Sequence, residues 1–241
     1  GGHLVRRLVA DGHDVAVLVR PTSDTALLRA SCPAIEIRAD RGDVADLAAI
    51  LAGVRPDAVV HLASLFLARH RPEDVPALIE TNVAMPARLL EAMRETGVRR
   101  IVNTGTAWQA PSSLDYDPVN LYASTKQAFE DLLAYYVSAH DFVAVTLRLS
   151  DTYGPGDERP KLVSLLRRTA REGTVLAMSP GEQIIDLTHV DDVVEAFCVA
   201  LARLDRSPGA EIFRVGGGDR MRLRDLVALY SEVTGRPLRV D

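Results

Sequence analysis

The stretch "RRIVNTG", Arg99 to Gly105, is a short β-branched apolar run closed by a glycine, which reads as a buried strand. Downstream, Leu121–His140 has helical texture, and "FVAVTLRL", Phe142–Leu149, is again a continuous apolar strand. A strand, a helix and a second fully apolar strand form the unit of a parallel sheet covered on both faces.

Working outward, the same alternation recurs. Upstream lie strands at "DVAVLVR" (Asp14–Arg20), "AIEIRA" (Ala34–Ala39) and "DAVVHLA" (Asp57–Ala63). Helices fall at the opening segment, at "VADLAAILA" (Val44–Ala52) and within Glu73–Thr96. The fold class is therefore α/β, a doubly wound parallel sheet of Rossmann type over residues 1–150. Beyond Leu149 the segment "SDTYGPGDERPKL" is rich in Gly, Pro and charge, and shorter elements follow it. Residues 151–241 are read as mainly a small C-terminal substrate lobe, with some elements returning to the sheet. The chain opens on "GGHLVRRLVADGHDV", a helix already under way, so a first strand and its glycine loop are expected to precede it. The end at "GRPLRVD" likewise reads as cut.

The bulk composition sets limits. The 241 residues are 47% hydrophobic and 25% charged, enough for one sizeable core. A net charge of -5 opposes a nucleic-acid footprint, and no apolar run reaches the length of a membrane span. Cys32 and Cys198 lie far apart with no metal-ligand spacing, so no metal is expected and a reduced, cytoplasmic setting is. "HVDD" (His189–Asp192) resembles a ligand set, but Asp191 or Asp192 suits the cap of a helix running to about Leu204. No Gly-x-Ser-x-Gly elbow supports a hydrolase.

One short motif carries chemistry. In "NLYASTK" (Asn120–Lys126), Tyr122 stands four residues before Lys126, so both lie on one helix face. The chain has only two lysines, Lys126 and Lys161; its other basic residues are arginines. A surface ion pair would tolerate arginine, whereas a compact ammonium beside a phenol requires lysine. The pair is thus either a catalytic couple or two residues sharing a helix face. Ligands of open α/β sheets bind at the carboxyl ends of the strands, where Arg20, Asp43, Ala63, Ser64, Thr104, Thr106 and Leu149 to Asp151 all fall.

With these pieces in order, the chain resembles the extended short-chain dehydrogenase/reductase family. The likeness rests on "GGHLVRRL", "GDV" (Gly42–Val44), "HLAS" (His61–Ser64), "TNVAMPARLLEA" around Asn82, and "NTGT" (Asn103–Thr106). It continues through the Tyr122/Lys126 pair, "LRLSDTYGPGD" (Leu147–Asp157) and "DLTHVDDVVEAF" (Asp186–Phe197), nearly the whole chain. Within it, "NTGTAWQ" and "LRLSDTYGPGDERPKL" are most similar to the reductases that finish CDP-dideoxyhexoses, the abequose and paratose synthases.

The resemblance implies roles. Tyr122 would protonate a sugar carbonyl, Lys126 would tune the phenol and hold the nicotinamide ribose, and Thr106 would donate to the same oxygen. The cofactor would meet Gly1 or Gly2, Asp43 and Val44, Leu62, Ala63 and Ser64, Asn82, Thr104 and Leu149. Arg20 at the end of its strand suits a 2′-phosphate, so NADP(H) is expected, with NAD(H) as the other option. Asp151, Arg159 and Lys161 would bind substrate; Asp151 replaces a usual asparagine, and Ile185 stands where an arginine often meets the diphosphate. The 4,6-dehydratases carry an Asp-Glu pair where this chain has Ala107 and Trp108, so elimination lacks proton carriers. The expected activity is NADP(H)-dependent reduction of a nucleotide-activated 4-keto-deoxysugar, bound to CDP or dTDP. The alternatives are a nucleotide-sugar epimerase with tightly held NAD and a non-catalytic nucleotide sensor. A homodimer is expected through the apolar face of Phe129, Leu132, Leu133 and Tyr136.

Overall fold

A computed structural model describes residues 1–111, 116–157, 161–205 and 209–241. The chain divides into two compact units: Gly1–Leu149 with Val194–Val215, and Ser150–Val193 with Gly216–Asp241.

The first unit begins with helix α1 (Gly2–Ala10), strand β1 (Ala16–Val19), helix α2 (Ala26–Ser31), strand β2 (Glu36–Ala39) and helix α3 (Val44–Val54). Strand β3 (Val59–His61), helix α4 (Val75–Ile79), helix α5 (Met85–Thr96), strand β4 (Arg100–Thr106), helix α6 (Leu121–His140) and strand β5 (Val143–Leu149) follow. The chain then forms β6 (Asp151–Tyr153), α7 (Leu162–Glu172), β7 (Val175–Leu176), β8 (Ile184–His189) and α8 (Val190–Arg203). It ends with β9 (Ala210–Val215), β10 (Arg220–Arg222), α9 (Leu223–Thr234) and β11 (Arg239–Val240).

Strands β3, β4, β5 and β9 pair in that order, all parallel, with Val59 opposite Ile101, Ile101 opposite Ala144, and Ala144 opposite Ala210. Strands β1 and β2 form a separate parallel pair. The alternation read from the sequence thus becomes an α/β fold with parallel sheets. Ile101 and Val102 are fully buried, as strands covered on both faces require. Around Ile101 pack Leu47 and Leu51 of α3, Leu89, Leu90 and Met93 of α5, Phe129 and Leu133 of α6, and Phe142.

Local signals fix the helix ends. Asp43 caps α3 by accepting the Asp46 N–H at 2.7 Å, and Asn120 caps α6 by accepting the Ala123 N–H at 3.0 Å. Gly97 closes α5 in the left-handed conformation at φ 82°. Between α4 and α5 the helix widens to one π turn, Glu80–Ala84, just before Pro86. Strand β3 is shorter than the apolar run Asp57–Ala63 suggests. After His61 the backbone at Leu65 bonds to the Asn82 side chain, so a side chain organises this stretch.

In the second unit β8 pairs parallel with β6 and antiparallel with β10, and β7 pairs with β11. Leu166 of α7, Leu176, and Leu223, Leu226 and Val227 of α9 form its core. Ile185 packs against that core, in keeping with an apolar residue there.

Candidate active site

Strand β4 ends at Thr106, and helix α6 begins with Tyr122 in its first turn and Lys126 one turn later. The positions of these residues follow from capping. Thr106 caps a short 3-10 turn, accepting the Trp108 N–H at 3.3 Å, while Gln109 Oε1 accepts the Thr106 N–H at 2.8 Å. Asn120 does the same for α6 and also donates to Ala68 O at 3.0 Å. Tyr122 is half-buried, with the Phe66 ring edge-on at 5.0 Å; Phe66 also lies 5.5 Å from Trp108.

Lys126 is fully buried, and its Nζ has no hydrogen-bond partner among the described residues. Burial lowers its pKa to about 8, with the carboxylate of Glu130 opposing that fall. His61, at the end of β3, is also buried, and its ring stands edge-on to Phe129 at 5.0 Å. Burial first, and then the nearby Lys126 charge, lower the His61 pKa to about 3. His61 Nδ1 lies 3.3 Å from Asn103 Oδ1, so the neutral ring carries its proton there and leaves Nε2 as a buried acceptor. Asn103 in turn donates to Thr146 Oγ1 at 3.3 Å.

Several residues expected at the cofactor also hold the scaffold. Asn82 is fully buried and uses its whole amide: Oδ1 accepts from Ser64 Oγ (3.1 Å) and Leu65 N (2.8 Å), and Nδ2 donates to Leu65 O and Thr125 Oγ1 (3.0 Å each). It shapes the loop after β3. The Thr104 hydroxyl donates to His61 O at 2.8 Å, tying β4 to β3. Asp43 is committed to the α3 cap beside half-buried Val44. Arg20 is exposed just beyond β1, and its carbonyl accepts from Ser23 N at 2.9 Å. At the start of α1 a side-chain carbon at Gly1 would meet Leu62 Cδ1 at 3.8 Å, an ordinary contact, so no protein neighbour demands glycine there. Leu62 and Ala63 continue from β3, and Leu149 ends β5 opposite Thr106. In the second unit, Lys161 Nζ lies 3.8 Å from Asp151 Oδ1; Arg159 falls outside the described residues.

Three residues escaped the sequence reading: Gln109, Glu130 and Arg148. Gln109 is fully buried and donates to Gln127 Oε1 (2.9 Å) and Glu130 Oε1 (2.8 Å). Arg148 Nη2 donates to Glu130 Oε2 at 2.6 Å and to Gln127 Oε1 at 3.0 Å. Signals for two of them were present. Gln109 is three residues after Thr106, the spacing of a capping box, and Glu130 extends the Tyr122–Lys126 row by four. The expected dimer face is also corrected: Phe129 and Leu133 belong to the core, Tyr136 donates to Glu91 Oε2 at 2.9 Å, and the exposed apolar residues are Leu132 and Tyr135.

Ligands of open parallel sheets bind at the carboxyl ends of the strands, and Thr106 at the end of β4, with Tyr122 and Lys126 on the helix that follows, falls at such a place. Residues 1–216 match the NAD dependent epimerase/dehydratase family, and the chain belongs to it. The UDP-glucose 4-epimerase of Mycolicibacterium smegmatis is 31% identical over 254 residues, covering 98% of this chain and 80% of the relative. The CDP-abequose synthase of Salmonella typhimurium is 28% identical over 180 residues, covering 74% of this chain and 59% of the relative. The solved structure of MoeE5 in complex with UDP-glucose and NAD matches with a TM-score of 0.84 at 27% identity, over 100% of this chain and 80% of that one. Among the described residues no helix is long and apolar enough to cross a membrane, and no cluster of His, Cys, Asp or Glu could hold a metal ion.

Proposed function

We propose that the chain is an NADP(H)-dependent 4-ketoreductase of a nucleotide-activated deoxysugar. The observation that carries the reading is the Lys126 Nζ, fully buried and without a hydrogen-bond partner among the described residues. A buried cation without a partner is costly unless a ligand completes its shell, and a ribose hydroxyl suits it. The residues therefore fit a nicotinamide dinucleotide, which when bound would act as the two-electron partner of the sugar carbon.

The chain's own residues do the rest. Tyr122 donates its phenolic proton to the substrate carbonyl oxygen as that oxygen gains charge. Lys126 supplies the positive field that favours this donation and orients the ribose. Thr106 already accepts the Trp108 N–H, so its hydroxyl proton is left to donate to the same oxygen. Phe66 and Trp108 give the surroundings of Tyr122 an aromatic wall suited to the apolar edge of a deoxysugar. Exposed Arg20 favours a 2′-phosphate, and Lys161 is the proposed cationic contact for the diphosphate.

A second reading, an epimerase that retains NAD, is favoured by the longer match to the UDP-glucose 4-epimerase, 98% of this chain against 74% for the CDP-abequose synthase. The fate of the cofactor separates them. With a CDP- or dTDP-4-keto-deoxyhexose, a reductase consumes one NADPH per product and the absorbance falls in step. Interconversion of two sugar nucleotides with no net change in absorbance would replace the reductase reading by the epimerase.

A further inference from the structure

We infer that Gln109, Glu130 and Arg148 form a buried clamp that positions Thr106 and keeps Lys126 charged; the inference rests on the reading of Thr106, Tyr122 and Lys126 as the reacting set. The clamp begins at the backbone. Gln109 Oε1 holds the Thr106 N–H at 2.8 Å, and its Nε2 gives one proton to Gln127 Oε1 at 2.9 Å and the other to Glu130 Oε1 at 2.8 Å. All three contacts fix the amide in one orientation, because a flip would set its N–H group against the Thr106 N–H. With its N–H held by Gln109 and its hydroxyl oxygen accepting the Trp108 N–H, Thr106 is fixed at its backbone and keeps its hydroxyl proton for donation.

Glu130 is anchored from the opposite side. Arg148 Nη2 meets Glu130 Oε2 at 2.6 Å, and Arg148 Nε meets Oε1 at 3.3 Å. Gly105 leaves room for this meeting: a side-chain carbon there would sit 2.7 Å from Glu130 Oε1, 2.9 Å from Arg148 Cγ and 2.9 Å from Gln109 Oε1. The strand residue before Thr106 is thus small so that three side chains can converge behind the reacting threonine.

The electrostatic half concerns Lys126. Burial pulls its pKa down to about 8, and Glu130, one turn further along the same helix, is the group that opposes this. Glu130 of α6 and neutral His61 of β3 interact electrostatically with Lys126; Tyr122 precedes it by one helical turn, and Arg148 of β5 pairs with Glu130. The 3-10 turn after β4 contributes neutral Gln109, and the π turn contributes neutral Asn82. Glu91 and Arg94 of α5 engage the far end of α6 at Tyr136. Among the described residues, Glu130 is the carboxylate that raises the Lys126 pKa. Removing it leaves burial unopposed, and Lys126 then loses its proton at lower pH.

Having only two lysines makes this measurable without substrate. With lysine labelled at the ε-carbon, NMR shows two titrating signals, and Lys161→Arg assigns them. Lys126 should titrate near 8 in the parent, at clearly lower pH in Glu130→Gln, and near the parent value in Glu130→Asp. A folded Glu130→Gln protein with an unmoved Lys126 midpoint overturns the electrostatic half. Arg148→Gln is the second variant: by unpairing Glu130 it should raise the midpoint, and an unmoved midpoint there counts equally against the clamp. For the positioning half, Gln109→Leu should lower turnover of the 4-keto sugar nucleotide about tenfold, on the scale of a misplaced hydrogen-bond donor, with cofactor affinity within about twofold. Parent-level turnover overturns it. Tyr122→Phe with full turnover would refute the reading of the reaction instead, and leave the titration result standing.

Discussion

The chain's two lysines occupy opposite kinds of surroundings. Lys126 sits in the first unit, fully buried, with no hydrogen-bond partner for its ammonium among the described residues. Lys161 precedes α7 in the second unit, 22% exposed, with the Asp151 carboxylate 3.8 Å away. Water and a carboxylate stabilise Lys161 whether or not anything binds. Lys126 is cut off from water and its Nζ has no hydrogen-bond partner among the described residues; the field of Glu130 opposes burial without cancelling it, so the charge is maintained at a cost that a ligand can relieve. On the proposed reading, the same side chain serves as a reacting group in one place and a steering charge in the other.

The sharpest way to break this contrast is to remove the first pair. Tyr122→Phe should lose at least about 10²-fold in turnover while binding cofactor nearly normally, the scale of general acid catalysis. Lys126→Met should lose a similar factor and weaken cofactor binding as well, measured by fluorescence titration with NADPH. If Lys161→Met cost as much turnover as Lys126→Met, the contrast would collapse.

A second, graded effect follows from pH. Lys126 is protonated below about 8 and neutral above it. For ketone reduction the charged form is the active one, so kcat/KM should be level below that value and fall about tenfold per pH step above it. A profile still level at pH 9.5 would detach Lys126 charge from catalysis.

Arg20 should give a smaller change. Arg20→Asp should weaken NADPH more than NADH by about tenfold, the size of one charge-assisted contact to a phosphate. Equal loss for both would remove the arginine from cofactor choice. Lys161→Met should give the smallest effect, a rise in KM of about threefold with kcat kept, as expected for a partly solvated charge beside a carboxylate.

The sequence revealed the fold where burial was complete. Strands β4 and β5 read directly because every residue from Ile101 to Asn103 and from Ala144 to Leu147 is buried, leaving a run that is apolar but for Asn103 and Thr146, which bond to each other. Strand β3 was read too long, since apolar letters alone do not show that Asn82, some twenty residues away, takes over the backbone at Leu65. The same limit hid the site's supports. Tyr122 and Lys126 share a helix, so their spacing displays their closeness. Gln109, Glu130 and Arg148 meet across a turn, a helix and a strand, and no local pattern brings a strand arginine to a helix glutamate. The apolar face expected to meet a partner was read too wide for the same reason, because Phe129 and Leu133 have helical period but serve the chain's own core, while Leu132 is exposed.

The widened turn at Glu80–Ala84 makes the length of this segment matter as much as its lettering. A π turn holds one residue more than an α turn, and Asn82 lies inside it. Deleting Val83 would let the helix close into regular α geometry without an obvious clash. It would also draw the residues of the turn back onto the regular α spiral and remove the widened arc on which Asn82 sits. Asn82 would then turn away from Thr125 and Leu65, and the loop after β3 would lose its anchor. Relatives carrying this loop should therefore vary in residue type here while keeping the count of residues between the loop and α5 fixed.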